Sequence, residues 1–268
     1  MAKKVQIMCY ITIMIVALSL TAVLFIITPT CSNCGSKLCF GRCTIVYDIN
    51  NPNQGRPNAP KTNQNTTRLV ETERADESYL EKITFVGDSR TVGLQHYGIP
   101  VENIFAEDGL NHEQALTKEV VRLNDRKLTT IKEAVLVTAP DIMIVNFGIN
   151  GAAYMPVDTF IEGYEKLIDE LLEASPSSIL VIEAIMPVSL SYEQTESGCS
   201  NEKIDEINEA LYDMAKEKGI YYLATNDVMK NKSNDLIDTY HRGDGIHYNA
   251  KAYEAIIEYI LTHEIHRK

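Results

Sequence analysis

The chain of 268 residues contains no tryptophan, only 7% aromatic residues, and far fewer basic than acidic side chains, 25 against 37. The basic deficit excludes a general nucleic-acid binder, because a net charge of −12 repels a phosphate backbone. No internal repeat and no run of heptads is present, which leaves no basis for a solenoid or a coiled coil. The Gly-x-Ser-x-Gly elbow of ordinary α/β-hydrolases is also missing: the only near match, from Gly87 through Ser89, ends in Thr91. With 45% hydrophobic and 23% charged residues, what remains has ordinary globular composition.

Charge is almost absent from the first thirty residues, where Lys3 and Lys4 stand alone before an uncharged stretch from Ile7 to Ile27. As a helix this stretch spans roughly the ~30 Å of a bilayer core. A cleaved signal peptide has a shorter apolar region and an Ala-x-Ala-like site, whereas this run ends Thr28-Pro29-Thr30-Cys31. Residues 1–30 are therefore expected to form a cytoplasmic tip and a transmembrane signal anchor, with cleavage or lipidation at Cys31 as the alternatives. Lys3 and Lys4 lie nearer the membrane edge than Lys37 and Arg42, which places the bulk of the chain outside the cell, on a single-pass anchor in the cell membrane.

Cysteine is concentrated beside that anchor. Cys31, Cys34, Cys39 and Cys43 make a juxtamembrane cluster within residues 31–49, while Cys9 sits in the apolar run and Cys199 stands alone far downstream. Outside the cytoplasm two local disulfides are the expected use, with a metal site or free or lipidated thiols as alternatives. Residues 50–80 begin with Asn, Gln, Thr and Pro and few large apolar side chains, and read as a flexible polar linker.

Beyond it, residues 81–268 alternate short apolar runs with amphipathic stretches. Strands are expected at 83–86, 103–106, 141–147, 178–184 and 220–223. Helices are expected through Leu94, over 112–137, 157–174 and 201–218, and from Asn249 to about His263. Near-continuous apolar strands alternating with helices specify an α/β protein: a three-layer α/β/α sandwich around a five-stranded parallel sheet. Such sheets gather function at the carboxyl ends of their strands. There the sequence places Gly87-Asp88-Ser89-Arg90, Asp108-Gly109-Leu110-Asn111, Gly148-Ile149-Asn150-Gly151 and Asp244-Gly245-Ile246-His247.

A serine hydroxyl attacks only when a base takes its proton, and the base works best with a carboxylate fixing its tautomer. Ser89, His247 and Asp244 supply these three groups. Backbone N–H groups of Ser89 and Gly109, with the Asn150 amide, are candidates for an oxyanion hole. Arg90 is a candidate for pairing with a substrate carboxylate or phosphate, and the polar loop from Ser189 to Ser200, with Tyr192 and Cys199, is long enough to border the cleft. Two other uses of the same residues are open. His241, Asp244 and His247, at three-residue intervals, could ligate a metal for a metal-dependent hydrolase, or the fold could serve as a non-catalytic wall-binding module.

These segments resemble the SGNH or GDSL-type hydrolase family. Gly87-Asp88-Ser89 matches its first block, with Arg90 in place of the usual Leu. Gly109 corresponds to its second-block glycine. Gly148 and Asn150 match the third, where Gly151 replaces the final Asp, and Asp244 and His247 match the last. The resemblance implies a flavodoxin-like three-layer fold and esterase, lipase, thioesterase or acyltransferase activity, with no metal and no other cofactor. Combined with the expected location, it implies release or transfer of small acyl groups such as acetyl from cell-envelope carbohydrate or another small ester.

Overall fold

The computed structural model describes residues 66–123, 127–195 and 197–265. The expected signal anchor, the Cys31–Cys43 cluster and the first part of the linker lie outside the described residues. No helix among the described residues is long and apolar enough to cross a membrane.

In chain order the elements are β1 (Ile83–Gly87), α1 (Ser89–Val92), β2 (Ile104–Ala106), β3 (Val121–Arg122), β4 (Leu128–Thr129), α2 (Ile131–Thr138), β5 (Ile142–Asn146), α3 (Ile149–Ala152), α4 (Val157–Ala174), β6 (Ile179–Glu183), α5 (Leu190–Glu193), α6 (Asn201–Lys218), β7 (Tyr221–Leu223), α7 (Asn226–Met229) and α8 (Ala250–Leu261). Five strands form one parallel sheet in the order β2-β1-β5-β6-β7. Gly87 pairs with both Ala106 and Asn146, so the carboxyl ends of β1, β2 and β5 finish level.

The strands are apolar on both faces because both are covered. Along β5, Met143 and Val145 enter the core shared with α2, α4 and α6. Ile142 and Ile144, one residue out of phase, enter the core shared with α8 and the turn around Leu94. Helix α4 shows the matching helical period: Phe160, Tyr164, Leu167, Ile168 and Leu171 are buried on one stripe. Its neighbour α6 starts where the Ser200 side chain accepts from the Lys203 N–H and stops where Gly219 turns left-handed at φ +66°.

Two segments depart from expectation. Residues 112–137 are not continuously helical: a short 3₁₀ turn at Gln114–Leu116 is followed by the antiparallel hairpin β3–β4, and only then by α2. Thr130 and Glu133 form a reciprocal capping box that begins α2 there, and the β-branched Val120, Val121 and Thr129 before it favour extended chain. The expected linker also ends earlier than residue 80. Tyr222 in β7 hydrogen-bonds with Thr67 and Leu69, Thr72 and Ala75 bind the end of α8, and Tyr79 and Leu80 are buried. Residues 67–80 thus belong to the folded unit, which they join along the β7 edge and the α8 layer.

Candidate active site

Strand β1 delivers the first site residue through a turn that only glycine permits. A Cβ on Gly87 would collide with Thr91 Oγ1 and with the carbonyl of Asn146 on β5. The chain then passes through Asp88, whose buried carboxylate caps α1 by accepting from the Arg90 N–H at 3.0 Å. Burial raises the Asp88 pKa, and the Arg90 guanidinium works against that rise. Ser89 follows as the first residue of α1.

The loop after α7 brings the other two groups to it. Ser89 Oγ lies 3.1 Å from His247 Nε2, and His247 Nδ1 lies 2.7 Å from Asp244 Oδ2. The other Asp244 oxygen accepts from the backbone N–H groups of His247 at 2.8 Å and Ile246 at 3.0 Å. Partial burial opposes the charge on Asp244, but these N–H groups and the imidazole outweigh it and hold the carboxyl down to about 2. An ionised Asp244 beside Nδ1 selects the tautomer that carries its proton there, leaving the Nε2 lone pair for the serine hydroxyl. The three groups expected from sequence are therefore in contact, across 158 positions of chain.

Gly109 adopts φ +74°, a left-handed turn after β2. Among the described residues, neither its N–H nor that of Ser89 donates to a protein acceptor. Asn150 donates one amide hydrogen to the Leu110 carbonyl at 3.0 Å, which ties the Gly109 loop to α3 and leaves the second amide hydrogen. Ser89, Gly109, Asn150 and His247 all line one cleft of about 530 Å³, together with Arg90, Asp108, His96 and Arg242.

Behind Asn150, the family's third-block Asp has no room. A Cβ on Gly151 would lie 2.9 Å from Phe160 Cε2 and 3.3 Å from His112 Cε1. His112 is fully buried, with its ring 4.3 Å from that of Phe160, and burial pushes it down to about 4, so it is neutral.

Two sequence expectations are corrected here, and one of the open alternatives gains no support. Arg90 borders the cleft, but its guanidinium is not free to clamp a substrate. It is 4% exposed, and its guanidinium donates to the carbonyls of Ile246 (3.0 Å), Met186 (2.9 Å) and Pro187 (3.3 Å) over the ring of Tyr248. Its own carbonyl accepts from the Tyr253 hydroxyl at 2.8 Å. Arg90 thus straps the Ser89 turn to the loop that carries His247. The Ser189–Ser200 segment supports the site from behind instead of bordering the cleft: Ser189 donates to the Gly245 carbonyl at 2.9 Å, and Cys199 is buried. The residues of the alternative metal reading, His241, Asp244 and His247, form no ligand set among the described residues. His241 Nδ1 accepts from the N–H groups of Gly243 and Gly245, at 3.0 and 3.2 Å.

Arg242 and His96 are cleft residues that sequence reading missed, and Asp108 is one that it placed at this edge without giving it a role. Arg242 was signalled only by its place five residues before His247. The site as built can move a proton from a hydroxyl to an imidazole beside unpartnered N–H donors, which is the equipment of acyl transfer.

The model of the GDSL-like lipase/acylhydrolase family matches residues 85–255. Among solved structures, a Streptococcus pneumonia protein named for platelet activating factor is similar at 22% identity and TM-score 0.55, over 68% of this chain and 87% of that one. A GDSL-like lipase from Bacteroides thetaiotaomicron is similar at 18% identity and TM-score 0.52, over 65% and 83%. These likenesses carry the fold, and no curated protein matches. The extent of the family match, with the first and last blocks meeting at Ser89 and His247, establishes that the chain belongs to the GDSL-like lipase/acylhydrolase family and is an SGNH-type hydrolase.

Proposed function

We propose that the protein is an extracytoplasmic serine esterase that removes, or transfers, small acyl groups such as acetyl from cell-envelope carbohydrate. Ser89 is the nucleophile, His247 the general base and acid, and Asp244 the group that orients and stabilises the imidazole. Ser89 Oγ attacks the ester carbonyl as its proton passes to His247 Nε2. The resulting oxyanion is received by the N–H groups of Ser89 and Gly109 and the free amide hydrogen of Asn150. Collapse expels the alcohol, which takes the proton from His247 and leaves an acyl-Ser89 ester. Water or a second hydroxyl, deprotonated by the same imidazole, then releases the acyl group.

The observation that carries this reading is the continuous Ser89–His247–Asp244 hydrogen-bond chain, at 3.1 and 2.7 Å. A short acyl group and a polar carrier are supported by the cleft lining, where among the described residues the aliphatic side chains are Val92, Ile149 and Ile246 beside many polar groups. The location rests on the apolar N-terminal run between Lys4 and Thr28. The test is a p-nitrophenyl ester series on the full chain. Acetate or butyrate should be turned over best, and Ser89→Ala should lower kcat by at least ~10³. Unchanged turnover in that variant would remove the mechanism.

A further inference from the structure

Two arginines line the cleft, and they are used in opposite ways. All three guanidinium nitrogens of Arg90 are committed to main-chain carbonyls. Arg242 is held only at its root. Its backbone N–H donates to the His247 carbonyl at 2.9 Å, and its Nε donates to the Tyr248 carbonyl, also at 2.9 Å. These bonds fix the side chain against the short antiparallel pairing of His241 with Tyr248. Among the described residues, its Nη1 and Nη2 groups meet no acceptor and no carboxylate pairs with it. Arg242 therefore stands in the cleft that holds the nucleophile with its Nε anchored and its two terminal nitrogens open to a ligand, although Asp108 lines the same cleft.

We infer that Arg242 is the specificity-determining residue of the site, and that it recognises a carboxylate on the alcohol portion of the ester, so that the preferred substrates are acyl esters of an acidic carrier such as a carboxylate-bearing sugar. This deepens the proposed esterase function and rests on it. With Nε occupied, the Nη1 and Nη2 hydrogens present two parallel donors, the fork that matches the two oxygens of a carboxylate.

The assignment to the alcohol side follows from how the cleft is divided. The oxyanion donors come from the start of α1, the Gly109 loop and α3, whereas Arg242 hangs from the segment that carries His247. His247 is the group that returns the proton to the leaving alcohol, so the carrier lies on the His247 side, within the region that Arg242 serves. The charge balance favours one negative charge on the ligand. Asp108 lines the same cleft and the chain as a whole is at −12, so a monoanion gains from Arg242 where a dianionic phosphate monoester meets additional repulsion.

The test compares 4-acetoxybenzoate with 4-acetoxybenzamide, which differ chiefly in that carboxylate, on the full chain and on Arg242→Ala and Arg242→Lys. The readout is the ratio of kcat/KM for the two esters, in which a general loss of activity cancels. Wild type should favour the carboxylate ester by about 10–100-fold, the range for a hydrogen-bonded charge. Arg242→Ala should bring the ratio close to one, and Arg242→Lys, a point charge without the fork, should recover part of it. In the Ser89→Ala background, calorimetry should show binding of 4-acetoxybenzoate weakened at least tenfold by Arg242→Ala. A ratio, or an affinity, that Arg242→Ala leaves unchanged overturns the inference. Turnover of both esters that survives Ser89→Ala overturns the esterase mechanism instead, and the calorimetric comparison still decides the role of Arg242.

Discussion

Replacing Arg90 by the leucine usual at this position in the family separates a strap from a substrate clamp. The substitution removes three hydrogen bonds to the carbonyls of Ile246, Met186 and Pro187, and the contact with Tyr248. An unsatisfied buried polar group costs about 1–3 kcal/mol, so three of them set a ceiling near 9 kcal/mol. Two considerations lower it. Arg90 lines the cleft, so water can reach part of the vacated volume, and leucine regains some apolar contact. The loss of the guanidinium also leaves the buried Asp88 carboxylate without its nearest cation. A net destabilisation of about 3–5 kcal/mol is expected, as when one member of a buried charged set is removed.

Urea unfolding followed by far-UV circular dichroism measures it, since the chain has no tryptophan to report. At temperatures where the variant stays folded, kcat should fall for neutral and anionic esters alike, because the His247 loop has lost its tie to Ser89. Arg90→Lys, which keeps the charge and part of the bonding, should fall between. Stability within 1 kcal/mol of wild type, accompanied by a raised KM for anionic esters only, would return Arg90 to the role of substrate ligand.

Burial raises Glu183, at the end of β6, from 4.5 to about 7, with Thr225 and Asn146 acting against the rise. The folded state therefore holds a proton that the unfolded chain has released, and stability declines as pH rises from about 4.5 to 7, by up to about 1.4 kcal/mol per unit, and is level above. Glu183→Gln should show a stability advantage over wild type that grows across that window, and a pH-independent difference between the two would refute the account. Restoring the family residue with Gly151→Asp should destabilise by about 3 kcal/mol or more, because the new side chain meets Phe160 and His112 in a buried space. His112→Ala in that background should recover part of the loss in thermal unfolding, and an unperturbed Tm for Gly151→Asp alone would contradict the packing.

Much of the frame was readable because local signals and tertiary demands agree. The strands are near-continuously apolar, as a sheet covered on both faces requires. Helices α4 and α6 begin and end where the sequence analysis puts them, at Pro156 and between Ser200 and Gly219, since caps and stops are local chemistry. The stretch from 112 to 137 is ambiguous for a related reason: its apolar residues satisfy a helical spacing as readily as a strand one, and only the capping box at Thr130 marks where the helix begins. Residues 67–80 carry no local sign of their place in the fold, because their partners, Tyr222, Leu261 and Thr262, lie more than 150 positions away.

The site divides along the same line. Parallel strands finishing level on one edge bring Ser89, Gly109 and Asn150 together whatever their separation in sequence, and the loop before the last helix returns His247 to the same edge. The order of elements does not give the direction in which a neighbouring side chain leaves the backbone. Successive residues on a helix point about 100° apart, so a residue adjacent to the nucleophile in sequence is turned away from it in space. Arg90 follows Ser89 directly and is directed into the protein by this geometry. Arg242 is separated from Ser89 by most of the domain, yet it belongs to the cleft because its backbone N–H is bonded to the carbonyl of His247. Proximity in sequence to a nucleophile is thus a poor guide to substrate contact, and hydrogen bonding to the segment that presents the general base is a better one.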